Sequence, residues 1–401
     1  MSGPLSFTIK HKSSENASRA GVVETCHGSF QTPAFMPVGT KATVKGVTPD
    51  LIKSTGSEII LNNAYHLMLR PGDEMVAKFG GVHEFMKWSG PILTDSGGYQ
   101  AWSMADINKI DEDGVTFKSI IDGSKIRVTP ERSIEIQNNL GADIIMAFDD
   151  CPSSIAPQSQ HLERRRHALT ARDGALNEEE HHKRLLQSLD RTARWLERCD
   201  KAHQKKDVQS LFGIVQGGTN LDLRTRSVEQ VCSVDLPGYA IGGVAVGESP
   251  NAIADVVKYT ANLLPEEKPR YLMGVGYERD IVSAVAAGID MFDCVLPTRN
   301  GRNAHAFTRN GQIHLRNARF KDDMSVLEEG CTCYTCSNGH GRAYLRHLYT
   351  SKEMLGGILV SIHNIHHFQS LMVDIRAAIS ENNWSWLIRR WPVLQHSPAT
   401  I

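Results

Sequence analysis

Asp290-Met-Phe-Asp-Cys-Val-Leu-Pro-Thr-Arg-Asn-Gly-Arg302 decides how this chain is read. The apolar run around Asp293 reads as a buried strand, because it is continuous rather than alternating. Pro297 is expected to stop any helix or central strand from continuing. Arg299-Asn-Gly-Arg302 then reads as a turn between two permanent cations. A carboxylate at the end of a buried strand, facing a basic loop, suits a nucleophile or general base beside a phosphate-bearing substrate. The plainer reading is a carboxylate in an ion pair with a nearby arginine, and this stretch alone favours it.

Seven further apolar runs precede this one: Phe35-Met-Pro-Val, Glu58-Ile-Ile-Leu-Asn, Pro91-Ile-Leu-Thr-Asp, Asp143-Ile-Ile-Met-Ala-Phe-Asp, Leu211-Phe-Gly-Ile-Val-Gln, Tyr239-Ala-Ile-Gly-Gly and Arg270-Tyr-Leu-Met-Gly-Val. Helical patterns lie between many of them. Thr129-Pro-Glu-Arg opens one with a cap and a proline at its first position, and Gly141 closes it. Asn251 to Leu264 and Glu278 to Ala287 are similar, with Gly288 ending the latter. Leu185, Leu189, Ala193 and Leu196 form one stripe from His182 to Cys199. Eight strands with intervening helices predict an α/β fold, a (β/α)8 barrel, with a doubly wound open sheet as runner-up. Residues 1–34 read as an antiparallel meander able to plug one end of the larger sheet. Residues 98–128 form a partly β insertion in which Asp122-Gly signals a hairpin. Glu178-Glu-Glu-His-His-Lys-Arg, in the polar segment 152–184, reads as a solvated loop and helix start.

The chain of 401 residues is long enough for one such barrel with an appendage, here 300–370. A formal net charge of −1 gives no global basic field, so a polyanion must be met by a local patch. Eight cysteines in a chain of this length do not make a secreted disulfide framework. Five are scattered and Cys331, Cys333 and Cys336 cluster, which points to a reducing compartment, the cytoplasm, and one metal site. No secretory leader is expected at Met1-Ser-Gly-Pro-Leu, nor any membrane span.

Polar groups gather at the C-terminal ends of the strand candidates. Asp95 is followed by Ser-Gly-Gly-Tyr99, and Asp149 by Asp-Cys151. Gln216-Gly-Gly, Gly242-Gly243 and Gly274-Val-Gly276 follow, and Asp293 lies in the last strand. In a barrel these ends converge on one face. Carboxylates, an amide and bare backbone suit a planar base with several donors and acceptors. Tyr99 offers a stacking face. Asp95 and Asp293 supply the two carboxylates needed to cleave a glycosidic bond with retention. No Walker or Rossmann fingerprint is present, so no nucleotide cofactor is expected.

Arg299, Arg302, Arg309, Arg316, Arg319 and Lys321 occur without an intervening Asp or Glu. They form a local cationic surface, and Arg309-Asn-Gly carries a type I′ turn signal. Cys331-Thr-Cys333-Tyr-Thr-Cys336 supplies three legs of a tetrahedral zinc site. By spacing the fourth ligand is open among His340, His347, His363, His366 and His367. These features also fit a noncatalytic zinc-dependent RNA-binding protein. A hydrolase of free nucleosides would not need the cationic surface.

The ordered set Leu93-Thr-Asp95-Ser-Gly-Gly-Tyr99-Gln, Phe148-Asp149-Asp-Cys151, Gln216-Gly, Gly242-Gly-Val-Ala-Val-Gly-Glu248, Leu272-Met-Gly-Val-Gly276, Asp290 to Arg299 and C-x-C-x2-C resembles the tRNA-guanine transglycosylase (queuine tRNA-ribosyltransferase) family from about Phe7 to beyond His363. The resemblance implies a zinc-bearing (β/α)8 barrel that exchanges the wobble guanine of G-U-N anticodon tRNAs for a 7-deazaguanine. It implies Asp293 as nucleophile and Asp95 as general acid/base. Asp149, Gln216 and Gly243 would bind the base, Tyr99 and Met273 would sandwich it, and Arg299 and Arg302 would steady the RNA. Zinc would sit on Cys331, Cys333, Cys336 and His363, in a homodimer formed through the zinc region. Cys151 and Val246 look like the bacterial form, which uses 7-aminomethyl-7-deazaguanine in queuosine biosynthesis. Nothing resembling an archaeal RNA-binding domain follows residue 390. Gly218, where a Ser is common, and a longer 170–184 segment depart from the pattern.

Overall fold

Strands buried on both faces can be short, because every side chain contributes to one of two apolar layers. Eight such strands pair in parallel and close on themselves in the computed structural model, which describes residues 3–99, 108–156 and 176–396. In chain order they are β4 (Ala34–Gly39), β5 (Ile60–Asn62), β6 (Ile92–Thr94), β10 (Ile144–Met146), β11 (Ser210–Val215), β12 (Gly238–Ile241), β13 (Arg270–Leu272) and β14 (Met291–Cys294). β14 closes the ring by pairing with β4, Asp293 opposite Met36. All eight coincide with the apolar runs, and closure excludes the open sheet. The fold is therefore a TIM-type (β/α)8 barrel.

Helices begin and end where capping chemistry dictates. Thr129 accepts from the Arg132 N–H at the start of the helix Pro130–Leu140, and Gly141 ends it in the left-handed region at φ 73°. The helix Glu178–Ala202 opens on a reciprocal capping box between Asn177 and Glu180, so the acidic run is a helix start. The preceding segment, 157–175, and the part of the 98–128 insertion at 100–107 lie outside the described residues. The rest of that insertion is a sheet of β7 (Asn108–Ile110), β8 (Val115–Lys118) and β9 (Lys125–Val128). Its second hairpin turns over 119–124, held by Ser119 and Ser124, and so is longer than the two-residue connection Asp122-Gly suggests.

β1 (Ser6–Lys12), β2 (Arg19–Thr25) and β3 (Gly28–Thr32) form the N-terminal antiparallel sheet. Val23 and Phe30 enter the apolar interior of the barrel with Met36, Leu61, Leu93, Ile144, Met146, Phe212 and Ile214. Arg19 on this sheet forms a buried ion pair with Asp290, which precedes β14, at 2.6 Å. Asp143, which precedes β10, accepts from the ring nitrogens of His27 at 2.8 Å and His83 at 3.1 Å. It also takes the backbone N–H groups of His27 and Ile92. The two imidazoles stack face to face at 3.6 Å, so their nitrogens run side by side into a carboxylate already filled by hydrogen bonds. This cluster ties the N-terminal sheet to the barrel. The meander thus plugs the end where the strands begin.

Two local readings are corrected. Pro297 does not terminate structure; it occupies the first turn of the helix Leu296–Arg302, where its missing N–H costs nothing. Arg299 to Arg302 are therefore helical. At 308–311 the backbone does turn between β15 (His305–Ala306) and β16 (Ile313–His314). The left-handed residue there is Gly311 (φ 109°), however, and Asn310 is not among the positive-φ residues, so the turn is not type I′. The long helix Met354–Glu381 packs against Leu296–Arg302 and against the short helix Tyr334–Ser337. No helix among the described residues is long and apolar enough to cross a membrane.

Candidate active site

The strand ends opposite the plugged end carry the polar groups. Asp293 points its carboxylate into this opening from β14. Its Oδ1 accepts from the Tyr271 hydroxyl at 2.6 Å and from the Gly274 N–H at 2.8 Å. Among the described residues Oδ2 takes no hydrogen bond. Burial pushes the Asp293 carboxyl above the usual range, and the two donors oppose that push. The Tyr271 phenol is held well above its ordinary value by burial and by Asp293, so it remains a donor. One oxygen is thus fixed and the other is without a donor among the described residues. Among the described residues the ion pair favoured for this stretch is absent, and the partners of Asp293 are a phenol and a backbone amide.

Asp95 follows β6 and is buried. Its Oδ1 accepts from the Ala64 N–H at 2.8 Å and its Oδ2 from the Asn63 amide, at the start of the helix Ala64–Leu69. The charges of Asp293 and Asp95 both act on Tyr271, which puts the two carboxylates in one site.

Asp149 lies beyond β10, three positions past the strand end at Met146. Ser96 donates to its Oδ1 at 3.3 Å and Gln216 Nε2 to its Oδ2 at 2.7 Å. Burial, with the neighbouring Asp150 charge, raises its carboxyl to about 7. Asp150 itself is bound by Arg184 on both oxygens and by Arg191. Gln216 is buried at the end of β11, its own N–H held by Ser227 Oγ at 2.9 Å. Gly243 sits beside it at φ 61°, where an added Cβ would stand 2.4 Å from Gln216 Oε1 and displace that amide. The Gly243 N–H faces the Cys151 thiol, which burial keeps neutral. Glu248 receives the N–H groups of Ala245 and Val246 and so shapes the loop after β12.

Tyr99 is 40% exposed in the helical start that follows β6, and Met273 follows β13, packed on the interior cluster. Arg299 and Arg302 project from the exposed side of their helix, and the charge felt by Arg302 is that of Arg299. No ion pair to either is found among the described residues.

The three clustered thiols converge on His363, on the long helix. Its Nδ1 lies 3.6, 3.5 and 3.5 Å from the sulfurs of Cys331, Cys333 and Cys336. Zinc bonds of about 2.3 Å to sulfur and about 2.0 Å to nitrogen at tetrahedral angles put N and S about 3.5 Å apart. The donor set therefore fits zinc. His363 Nε2 faces the Phe307 carbonyl at 2.8 Å, which leaves Nδ1 for a metal. The other candidate histidines are engaged elsewhere: His366 with Thr332 and Thr55, His367 with Glu278, His347 with Ser351, and His340 against Tyr344. Asn364, beside His363, donates to the carbonyls of Pro297 and His305 at 2.9 and 3.0 Å.

Local sequence did not single out Tyr271, Asn63, Arg224 or Asn364. Tyr271 sits in an apolar run, and the other three look like ordinary loop or helix residues.

The sequence profile described as Queuine tRNA-ribosyltransferase matches residues 14–172 and 168–393. A protein of that name from Cyanothece sp. is 48% identical over 388 residues, 97% of this chain and 95% of its own length. Another from Synechococcus elongatus is 49% identical over 395 residues, 98% and 96% of the two chains. A third from Fusobacterium nucleatum is 47% identical over 382 residues, 95% and 96%. The barrel, the strand-end carboxylates and the three-cysteine, one-histidine cluster accord with these matches, and this chain belongs to the queuine tRNA-ribosyltransferase family.

Proposed function

We propose that the protein exchanges the wobble guanine of G-U-N anticodon tRNAs for 7-aminomethyl-7-deazaguanine through a ribosyl ester on Asp293. The observation that carries this reading is the Asp293 carboxylate, with one oxygen fixed by Tyr271 and Gly274 and the other without a donor. In the first step Asp293 Oδ2 bonds to the ribose anomeric carbon as the bond to guanine N9 breaks. Asp95 gives its proton to the departing guanine. In the second step Asp95 takes the N9 proton of the incoming base. That nitrogen bonds to the anomeric carbon and Asp293 leaves, so two inversions give retention.

Asp149, Gln216 and Gly243 hydrogen-bond the base, Tyr99 and Met273 stack on it, and Cys151 lies at its edge. Arg299 and Arg302 hold RNA phosphates, consistent with their exposure and lack of carboxylate partners. Zinc on Cys331, Cys333, Cys336 and His363 is structural, one per subunit. It braces a basic subdomain at 300–370 through which two subunits pair, in the cytoplasm.

Each Asp149 oxygen already accepts one neutral donor and retains a lone pair for an N–H of the base. Only the anion can accept both. With its carboxyl near 7, the KM for free base is expected to rise about tenfold per pH unit below about 7, and to be flat above it. A flat KM between pH 5.5 and 8 would rule this role out. The same upward shift means that the folded chain holds this proton more tightly than the unfolded chain. Asp149 therefore removes stability as pH climbs from about 4 to about 7.

The reading as a whole is tested by incubating the protein with unmodified tRNA and 7-aminomethyl-7-deazaguanine, then digesting and weighing the anticodon nucleosides. The deazaguanine nucleoside should appear at the wobble position with release of one guanine. Guanine release from small nucleosides without tRNA would indicate the hydrolase instead. Binding of tRNA with no change of mass would indicate the noncatalytic RNA binder.

A further inference from the structure

Arg224, on the helix Leu221–Cys232, is fully buried. Among the described residues it has no ion-pair partner. Its guanidinium is instead spent on four backbone carbonyls: Gly218 from Nε at 2.9 Å, Gly242 and Val215 from Nη1 at 2.7 and 3.2 Å, and Gly243 from Nη2 at 3.0 Å. The Glu248 charge acts on it without forming an ion pair, so the four carbonyl dipoles replace the water it has lost. Burial lowers its pKa only to about 10, so it keeps its charge at neutral pH.

Val215 ends β11, and the other three acceptors belong to the loops after β11 and β12, which carry Gln216 and Gly243. In a trans peptide the C=O and N–H point in opposite directions. With the Gly242 carbonyl turned to Arg224, the Gly243 N–H must face the other way, and there it meets the Cys151 thiol. The Gly243 carbonyl is captured as well, so the Val244 N–H is turned away from the cation in the same manner. Two successive N–H donors are thereby aimed to one side, each on a peptide polarised by a positive charge behind its carbonyl. Such preorganised donors stabilise charge where it develops, because they need not reorient during reaction.

We propose that Arg224 is a positioning residue that aims and polarises the Gly243 and Val244 N–H groups at the 6-oxo group of the bound base. This rests on the base-exchange reading above. As the bond to guanine N9 breaks, the electron pair left on the base spreads toward O6, and the two N–H groups receive that charge. Arg224 thereby selects bases that carry a 6-oxo group and assists their departure.

The test compares binding of guanine with binding of 2-aminopurine, which lacks the 6-oxo group, by equilibrium dialysis. The proteins are the full-length wild type, Arg224→Gln and Arg224→Lys. Arg224→Gln is expected to weaken guanine at least 30-fold and 2-aminopurine less than threefold. Arg224→Lys, which keeps the charge but cannot reach four carbonyls, should fall between. If Arg224→Gln does not fold, as judged by thermal melting, Arg224→Lys decides, with guanine weakened at least fivefold more than 2-aminopurine. Equal weakening of both bases would make Arg224 merely structural and overturn the proposal. Dialysis needs no turnover, so a wild type that fails to exchange tRNA would refute the base-exchange reading while this comparison still reads Arg224.

Discussion

Asp293→Asn is expected to lower guanine exchange into tRNA by at least about 10,000-fold, the scale seen when a nucleophile is removed from a site that acts as a unit. The amide oxygen can still accept from Tyr271 and Gly274, so the local architecture is preserved. The other position becomes an amide nitrogen, which is no nucleophile toward an anomeric carbon. No adduct with tRNA should survive a denaturing gel, whereas the wild type should form one. The fold should not suffer. Burial disfavours the Asp293 anion, so a neutral isostere relieves a cost the native protein carries. Melting temperature is expected to hold or rise at pH 7.5 and above, with tRNA still bound. Exchange at the normal rate, or a persisting adduct, would refute Asp293 as nucleophile.

His363→Ala is expected to release zinc and to destabilise the C-terminal half of the chain. A ligand present at 1,000 times its dissociation constant contributes about 4 kcal/mol, and loss of that should lower Tm by about 5 °C in a chain of this size. The consequence for function follows from the next residue. Asn364 holds the carbonyls of Pro297 and His305, so the helix turn that carries His363 also steadies the helix bearing Arg299 and Arg302. Zinc loss should therefore raise the KM for tRNA at least tenfold and leave affinity for free base within about twofold. Zinc content by mass spectrometry, Tm and the two KM values check this. A protein that keeps one zinc after His363→Ala would require a different fourth ligand.

The barrel was legible because parallel strands buried on both faces cannot hide: each is a short, continuous apolar run. Thr129, Gly141 and Gly288 mark helix ends by local chemistry alone. What failed was local reading where tertiary contact decides. Arg299-Asn-Gly-Arg302 has turn residues yet is helical, and the glycine has a packing reason. A Cβ on Gly301 would lie 2.5 Å from Ser361 Oγ and 2.8 Å from Ser361 N, so the long helix demands a bare backbone there. Pro297 breaks a helix only from within and begins one here. Of the candidate site, the carboxylates, glutamine and glycines were visible as strand-end punctuation, although their roles came with the family resemblance. Tyr271 and Arg224 were not visible. A tyrosine in an apolar run looks like core, and an arginine in Leu221-Asp-Leu-Arg-Thr-Arg looks like a solvated face. Only the folded chain shows one aimed at Asp293 and the other wrapped in carbonyls. Spacing left His363, 27 residues after Cys336, as one of five open candidates.

The N-terminal sheet closes one end of the barrel. Val23 and Phe30 stopper that end, and Met36, Leu61, Leu93, Ile144, Met146, Phe212 and Ile214 fill the interior, so among the described residues no rear passage leads from the site. On the proposed reading, outgoing guanine and incoming deazaguanine share one berth and one exit, under the RNA itself. Traffic is then strictly one base at a time. Guanine competes directly with the replacement base, and the ester on Asp293 must outlast the interval in which the berth stands empty.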